Sequence, residues 1–428
     1  MRTMRKMKHP YLCRAVCGLA MALLMATWGC DDDPEKDENA VATPCTNGLA
    51  GVYPCRGVEL LAHLPLEAIG GVSDAIANDV WGWTDAASGK SFALVGLSNG
   101  TALVDVTQPV RSRYVGLLPT MSRLRGGRCA GRSGGACGDS TWRGVKAYAD
   151  HAFVVSEEYD HGLQVLDLRQ LLSVSGKAQV FAETAHFAGF GSAHNIAVNE
   201  ESGFAYAVGS DRCAGGLFMI DVRVPAQPTY AGCYDGDGYT HDVQCVIYRG
   251  PDARYAGREI CFASNEDTVT IVDVTAKDAP RQLGRQTYEG VGFVHQGWLT
   301  EDQRYFLSDD ELDEVDFGHP TRTYIWDMGD LERPAMIGYY QSQSSAIDHN
   351  LFIRGSRAYA ANYRSGLRVF DLAGVAAARL EEIAFFDIYP ASDDAVFSGA
   401  WNVYPYFPDG TIVVSGIEQG LFVLALEP

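Results

Sequence analysis

The amino-acid sequence predicts an all-β chain folded as a seven-bladed β-propeller, closed by an N-terminal strand that completes the C-terminal blade. Two observations predict it. One short strand recurs seven times along the chain, and the last copy lacks the strand that should follow it, while a spare strand of that kind stands ahead of the first.

The recurring strand reads TALVDV ending at Val106, LQVLDL at Leu168, LFMIDV at Val222, VTIVDV at Val274, TYIWDM at Met328, LRVFDL at Leu372 and LFVLAL at Leu426. Its shared acidic position is Asp105, Asp167, Asp221, Asp273, Asp327 and Asp371, with Ala425 in the last copy. The intervals of 62, 54, 52, 54, 44 and 54 residues suit a four-stranded propeller blade. Because these acids recur in six of the seven blades, they read as blade-packing residues and not as catalysts.

Each copy sits in a larger unit. A first strand opens on a polar residue, as in NDVWGW, RGVKAY, HNIAV, HDVQCV, HQGWL, HNLFI and WNVYPY. A strand of small residues follows (FALVGLS, AFVVSEE, FAYAVGS, EICFASN, YFLSDD, AYAANY, TIVVSG), and then the repeat strand. A fourth strand ends the unit: YVGLLP, VFAET, TYAGCY, RQLGRQ, AMIGYY and EIAFFD. Period-two alternation between Gly, Asn and Asp turns is the signature of such strands. The seventh unit stops at Pro428 without its fourth strand, and VELLAHL, Val58–Leu64, has the missing pattern. Pairing the two closes the ring and hides the sheet edges that an open array exposes.

Residues 1–29 read as a signal peptide: a basic stretch to Arg14, an apolar run Ala15–Ala26 too short to span a bilayer comfortably, and then Thr27-Trp28-Gly29-Cys30. Gly29-Cys30 ahead of an acidic stretch is similar to a lipoprotein box, with Cys30 as the lipidation site; Thr27 and Trp28 depart from the usual residues, and plain cleavage with release is the alternative. Residues 30–56 are expected to be a tether and disulfide loop, and 57–428 the propeller. The chain is thus expected to be exported, either lipid-anchored to the cell envelope or extracellular. It carries a net charge of −20, and the first 29 residues hold five basic groups and no acid. A body that acidic repels nucleic acid and anionic lipid, so contact with the membrane is expected through a lipid anchor only, and the expected partner is a surface protein or envelope polymer.

Beyond Cys13, Cys17 and Cys30, eight cysteines remain, an even number that reads as disulfides in an exported chain. They fall into neighbouring couples: Cys45–Cys55, Cys129–Cys137, Cys213–Cys233 and Cys245–Cys261. The last follows from register. His241 opens a first strand and Asn265 ends the second, and antiparallel partners keep a constant index sum, which sets Cys245 opposite Cys261.

In a propeller the first strands line the central channel. Four successive blades open theirs with His194, His241, His295 and His349, and the other three with Asp79, Arg143 and Trp401. Second-strand ends bring Glu157, Glu158, Asp211, Asn265, Glu266, Asp267, Asp309, Asp310, Glu311, Asn362 and Glu418 to the same rim, with Asp211, Glu266 and Asp309 as the supporting ligands. Imidazole beside carboxylate suits a divalent metal ion such as Zn, Cu, Fe or Mn, so the expected metal set is His194, His241, His295, His349, Asp211, Glu266 and Asp309. Channel-mouth packing, with the histidines hydrogen-bonding neighbouring turns, is the competing role. The acidic run Asp309–Glu314, with Asp316 and His319, reads as a solvated loop before a cation site. Asp235-Gly236-Asp237-Gly238 is similar to a calcium loop without its later acid. The insertion carrying Arg123, Arg125, Arg128 and Arg132 reads as an exposed, disulfide-pinned loop, with anion binding over the mouth as its alternative. No G-x-S-x-G elbow, Walker loop or H-E-x-x-H is present.

The stretches AGVYPC, LLAHLPL, WGWTD, ALVGLSNGTALVDV, GSAHNIAVNEESGFAYAVG, GYTHDVQCVIY, REICFASNEDT, HQGWLTEDQRYFLSDDELDE, TRTYIWD, IDHNLF and VVSGIEQGLFV resemble the choice-of-anchor B family over about Ala50 to Leu424. That resemblance implies an exported propeller of LVIVD-type repeats with a surface location, Cys30 being this member's anchor, and it implies no activity. The arginine-rich insertion departs from the family pattern. The expected function is a surface binding or scaffolding module without catalysis. The alternative is a metal-binding protein or metalloenzyme at the channel mouth, with a divalent metal ion as cofactor.

Overall fold

The structure, a computed structural model, describes residues 41–121 and 140–427. The signal segment, Cys30, the Cys129–Cys137 couple and the four arginines of the insertion lie outside the described residues. Seven small antiparallel sheets form a ring: a seven-bladed β-propeller with almost no helix. Blade by blade, the first strands are Ala77–Thr84, Arg143–Tyr148, Asn195–Asn199, Asp242–Ile247, Val294–Leu299, Leu351–Arg354 and Ala400–Tyr404. Each touches the next in turn, and the last touches the first, so they surround one axis.

The apolar alternation that makes the strands also makes the core. Seven hydrophobic clusters lie between neighbouring blades, each drawing on both. Between blades four and five, for example, Phe262 and Ile271 meet Phe306 and Trp326. The repeated acids end the third strands. Asp105, Asp167, Asp221, Asp273, Asp327 and Asp371 each accept the backbone N–H two residues on, at 2.7–3.1 Å, so each fixes the turn into the outer strand.

The ring closes where the sequence predicts. Val58–Leu64 pairs with Gly420–Leu426, from Val58 opposite Leu426 to Leu64 opposite Leu421. Gly420 has a φ of +91°, and a Cβ there would lie 2.3 Å from the Leu64 carbonyl oxygen, which is why glycine enters this strand. Ahead of the closing strand, Thr43 bridges Leu60 on its outer edge. The hairpin Leu49–Ala50 and Tyr53–Arg56 then adds to the outer strand of the sixth blade, with Cys55 opposite Phe386. The Cys45–Cys55 disulfide therefore ties the edges of blades six and seven.

Cys213–Cys233 and Cys245–Cys261 are also bonded, the latter across directly paired residues of the fourth blade. Three disulfides among the described residues mark an oxidising, exported environment. No helix among the described residues is long and apolar enough to cross a membrane.

The second blade departs from expectation. Its outer strand is Ala185–Phe187, not VFAET. The six-residue 3-10 segment Leu168–Ser173 carries the chain back toward the first blade, where Gln179–Val180 adds in parallel to Arg113–Pro119. Phe181, 5% exposed, then enters the cluster between those two blades, and the chain reaches its own sheet only afterwards.

Asp387 follows the sixth blade's outer strand and is 8% exposed. Burial, with Asp393 adding to it, pushes its carboxyl up to about 6. Because the folded value is raised, the charged form is disfavoured above about pH 6, and that cost fades as pH falls toward the unfolded value near 4. Asp387→Asn keeps the acceptor for the Tyr389 N–H at 2.7 Å. It is expected to stabilise the fold by roughly 2–3 kcal/mol at pH 8 and by little at pH 4, read by urea denaturation at both.

Candidate functional site

Strand register sets equivalent residues of the first strands at equal depth in the channel. The opening position holds Asn78, Arg143, His194, His241, His295, His349 and Trp401. In the first blade a register shift between Ala77 and Val80 makes the opener Asn78, so Asp79 lies one layer deeper than the sequence reading placed it. There it accepts hydrogen bonds from the Val145 N–H at 2.7 Å and from Lys146 Nζ at 3.2 Å. Arg143 keeps its place, but its guanidinium turns to the Leu97 carbonyl and to His161. Trp142, just before it, joins the mouth instead.

Six rings therefore form a closed collar. Centroids run 4.1 Å from His194 to His241, 4.3 Å to His295, 4.3 Å to His349, 4.6 Å to Trp401 and 4.7 Å on to Trp142. Trp142 returns to His194 at 6.4 Å. Between the collar and the next layer, which includes Asn195 and Asn350, is a space of about 20 Å³, room for one water molecule or ion. Farther along the channel Trp81, Lys146, Gln244, Trp298 and Phe352 surround a wider cavity of about 240 Å³.

All four imidazoles are held by the same atom. His241 Nδ1 donates to the His295 carbonyl at 3.0 Å, and His349 Nδ1 donates to the Trp401 carbonyl. His295 Nδ1 donates to Asp309 Oδ1 and His194 Nδ1 to Glu157 Oε1, both at 2.8 Å. A carbonyl oxygen only accepts, so Nδ1 carries the proton in His241 and His349. Burial, then neighbouring histidines, hold His241 and His295 well below the usual imidazole range, and burial takes His349 down to about 3. A neutral ring with its proton on Nδ1 presents a lone pair at Nε2, the state that ligates metals.

The carboxylate that meets these lone pairs is Glu311. Its Oε1 lies 3.5 Å from His349 Nε2 and 4.0 Å from His295 Nε2, and it accepts a hydrogen bond from the Tyr363 hydroxyl at 2.5 Å. Burial pushes its carboxyl up to about 7. The three ligand atoms lie within 4.8 Å of one another. A tetrahedral ion about 2.1 Å from each atom needs ligand spacings of about 3.4 Å, so small side-chain movements bring all three into reach.

Of the expected metal set, the structure brings the four histidines together and sends the carboxylates elsewhere. Asp309 orients His295 and also accepts the Gln296 N–H at 3.0 Å, which puts it behind the imidazole. Asp211 is exposed and caps the Gly191 N–H at 2.9 Å, and Glu266 is exposed at a turn with φ +64°. The acidic run is not a solvated loop: Asp309, Asp310, Asp313 and Glu314 are all buried. Asp237 is occupied by protein donors, accepting from Asn265 Nδ2, Thr268 Oγ1 and Arg285 Nε.

No family model matches the chain, and no curated protein matches it. Solved structures align with most of the chain at low sequence identity. A Lactobacillus plantarum protein has 15% identity and a TM-score of 0.49, covering 79% of this chain and 88% of its own. The Cps50 (Swd1) β-propeller domain of Myceliophteria thermophila has 9% identity and a TM-score of 0.48, covering 78% and 93%. The computationally designed Ika8 protein has 9% identity and a TM-score of 0.46, covering 81% and 82%.

Proposed function

We propose that this chain is an exported binding module, anchored through lipidated Cys30, that holds a divalent first-row transition metal ion at its channel mouth. His295, His349 and Glu311 are the direct ligands, Asp309 fixes the His295 ring, and His241 and His194 complete the imidazole face. One observation carries the reading: His349 Nε2 is buried, has no hydrogen-bond partner, and faces the Glu311 carboxylate. Two neutral imidazoles and one carboxylate suit Zn, Fe or Mn, and a hydrogen-bonded Nδ1 behind each ligating ring is the usual support for such a site. The disulfides support export, and the resemblance to choice-of-anchor B proteins supports a surface location.

Metal analysis tests it. Protein loaded with Zn²⁺ and desalted is expected to retain bound zinc that His295→Ala/His349→Ala loses with its circular dichroism unchanged. Zinc content indifferent to that double substitution sinks the reading. It would favour the second reading, a metal-free scaffolding module, which the ring-on-ring packing of the collar supports.

A further inference from the structure

We propose that Asp313, Glu314 and His319 form a second divalent-metal site, which shares no ligand with the channel mouth and stands without it. The single helical turn Asp313–Phe317 leaves the second strand of the fifth blade, and Gly318, with φ +72°, turns the chain back. That turn brings His319 Nε2 to 3.6 Å from Asp313 Oδ2. His319 Nδ1 donates to the Pro320 carbonyl at 2.9 Å, so Nε2 is the lone-pair nitrogen that the neutral ring presents to the acids. The Phe317 ring stacks on the imidazole at 6.3 Å and fixes its plane.

The protein half-satisfies these acids. Asp313 is 0% exposed and Glu314 3%. The Tyr324 hydroxyl donates to Asp313 Oδ2 at 2.7 Å and the Arg322 N–H to Glu314 Oε1 at 3.2 Å. With both acids ionised, Asp313 Oδ1 and Glu314 Oε2 have no donor, and His319 Nε2 has no hydrogen-bond partner. The acids share a hydrogen bond only when Glu314, whose pKa burial raises, keeps its proton. Among the described residues, the only ion pair of either acid is Asp313 with His319, and no lysine or arginine pairs with them. Buried polar atoms are seldom left unmatched, and buried carboxylates are normally paired or bound to a metal. All three residues offer a ligand atom within 4.8 Å of the others. One imidazole nitrogen with two carboxylates suits Zn²⁺ or Mn²⁺, whereas Ca²⁺ takes six to eight oxygens.

The test is zinc stoichiometry of the disulfide-bonded chain, loaded with Zn²⁺ alone and desalted. Two equivalents are expected in the unaltered protein, one in Glu314→Gln/His319→Asn, and one in His349→Ala. Asp313→Asn keeps the acceptor for Tyr324 and serves as a second, gentler variant, also expected to hold one. A single equivalent lost in His349→Ala but kept in both loop variants overturns this site and leaves the mouth site standing. A single equivalent lost in the loop variants but kept in His349→Ala supports this site and overturns the mouth. Two equivalents that survive both loop variants, or none in the unaltered chain, overturn the proposal.

Discussion

A chain shortened to start at Pro65 is expected to lose its cooperative unfolding transition, bind hydrophobic dyes and aggregate. The shortened chain lacks Val58–Leu64 and leaves Gly420–Leu426 as a bare strand edge over the closing blade. Val58 and Leu64, 0% and 8% exposed, vanish from the clusters that join the seventh blade to its two neighbours. Each such buried side chain contributes roughly 1.5–3 kcal/mol, and an unpaired edge recruits other chains. Cys45→Ser/Cys55→Ser is the control. It opens a short loop, costs roughly 3 kcal/mol, and should still melt cooperatively. Equal melting midpoints for the shortened and intact chains would show that the ring does not depend on its closing strand.

Lys277→Met is expected to cost roughly 3–5 kcal/mol, because it strands a buried carboxylate between blades three and four. Lys277 Nζ donates to Glu259 Oε2 at 2.6 Å, the two side chains being 10% and 5% exposed. The other oxygen of Glu259 accepts from Asn199 at 2.7 Å and from Ser202 and Tyr206 at 2.6 Å, all three on the preceding blade. Methionine keeps the length of the stem over the Phe204 ring and removes only the cation. Pairing it with Glu259→Gln, which still offers an acceptor, should recover much of the loss. The difference between single and double variants in urea measures the coupling, and additive losses would mean that the pair is not a unit.

Register made most of the fold legible from sequence. The third strands announce themselves through an acid that must cap the same turn in six blades, and the missing copy of the fourth strand points to its substitute. Cys245 opposite Cys261 follows from the same index arithmetic. What escaped lies where a local rule is broken. The register shift after Ala77 hides Asn78 behind Asp79, and the Leu168–Ser173 segment sends Gln179–Val180 to the wrong blade for its place in the chain.

The imidazoles were legible in the sequence, and Glu311 stood among the carboxylates expected at the rim, but which carboxylate meets the lone pairs was not legible. Asp309 lies in the strand Tyr305–Asp310, whereas Glu311 lies in the turn that follows it. Asp309 faces the register shift that holds His295 and Gln296 and takes the near side of the His295 ring, while Glu311 reaches past to the far nitrogen. The acids themselves were visible in YFLSDDE; their clustering, which usually means a solvated loop, concealed that Asp309 and Asp310 are buried. The return of His319 onto Asp313 depends on one short turn closed by Gly318, which no spacing rule marks.

The Cys45–Cys55 staple also decides how the molecule carries load. Tension applied ahead of Thr43 passes through the sulfur bridge and bypasses the small hairpin between its ends, so that loop is never stretched. To peel the closing strand from its Val58 end, the force must first strip Cys55 and Arg56 from the neighbouring blade. The seam of the ring, the natural place for such a toroid to unzip, is thereby the place where two blades resist pulling together.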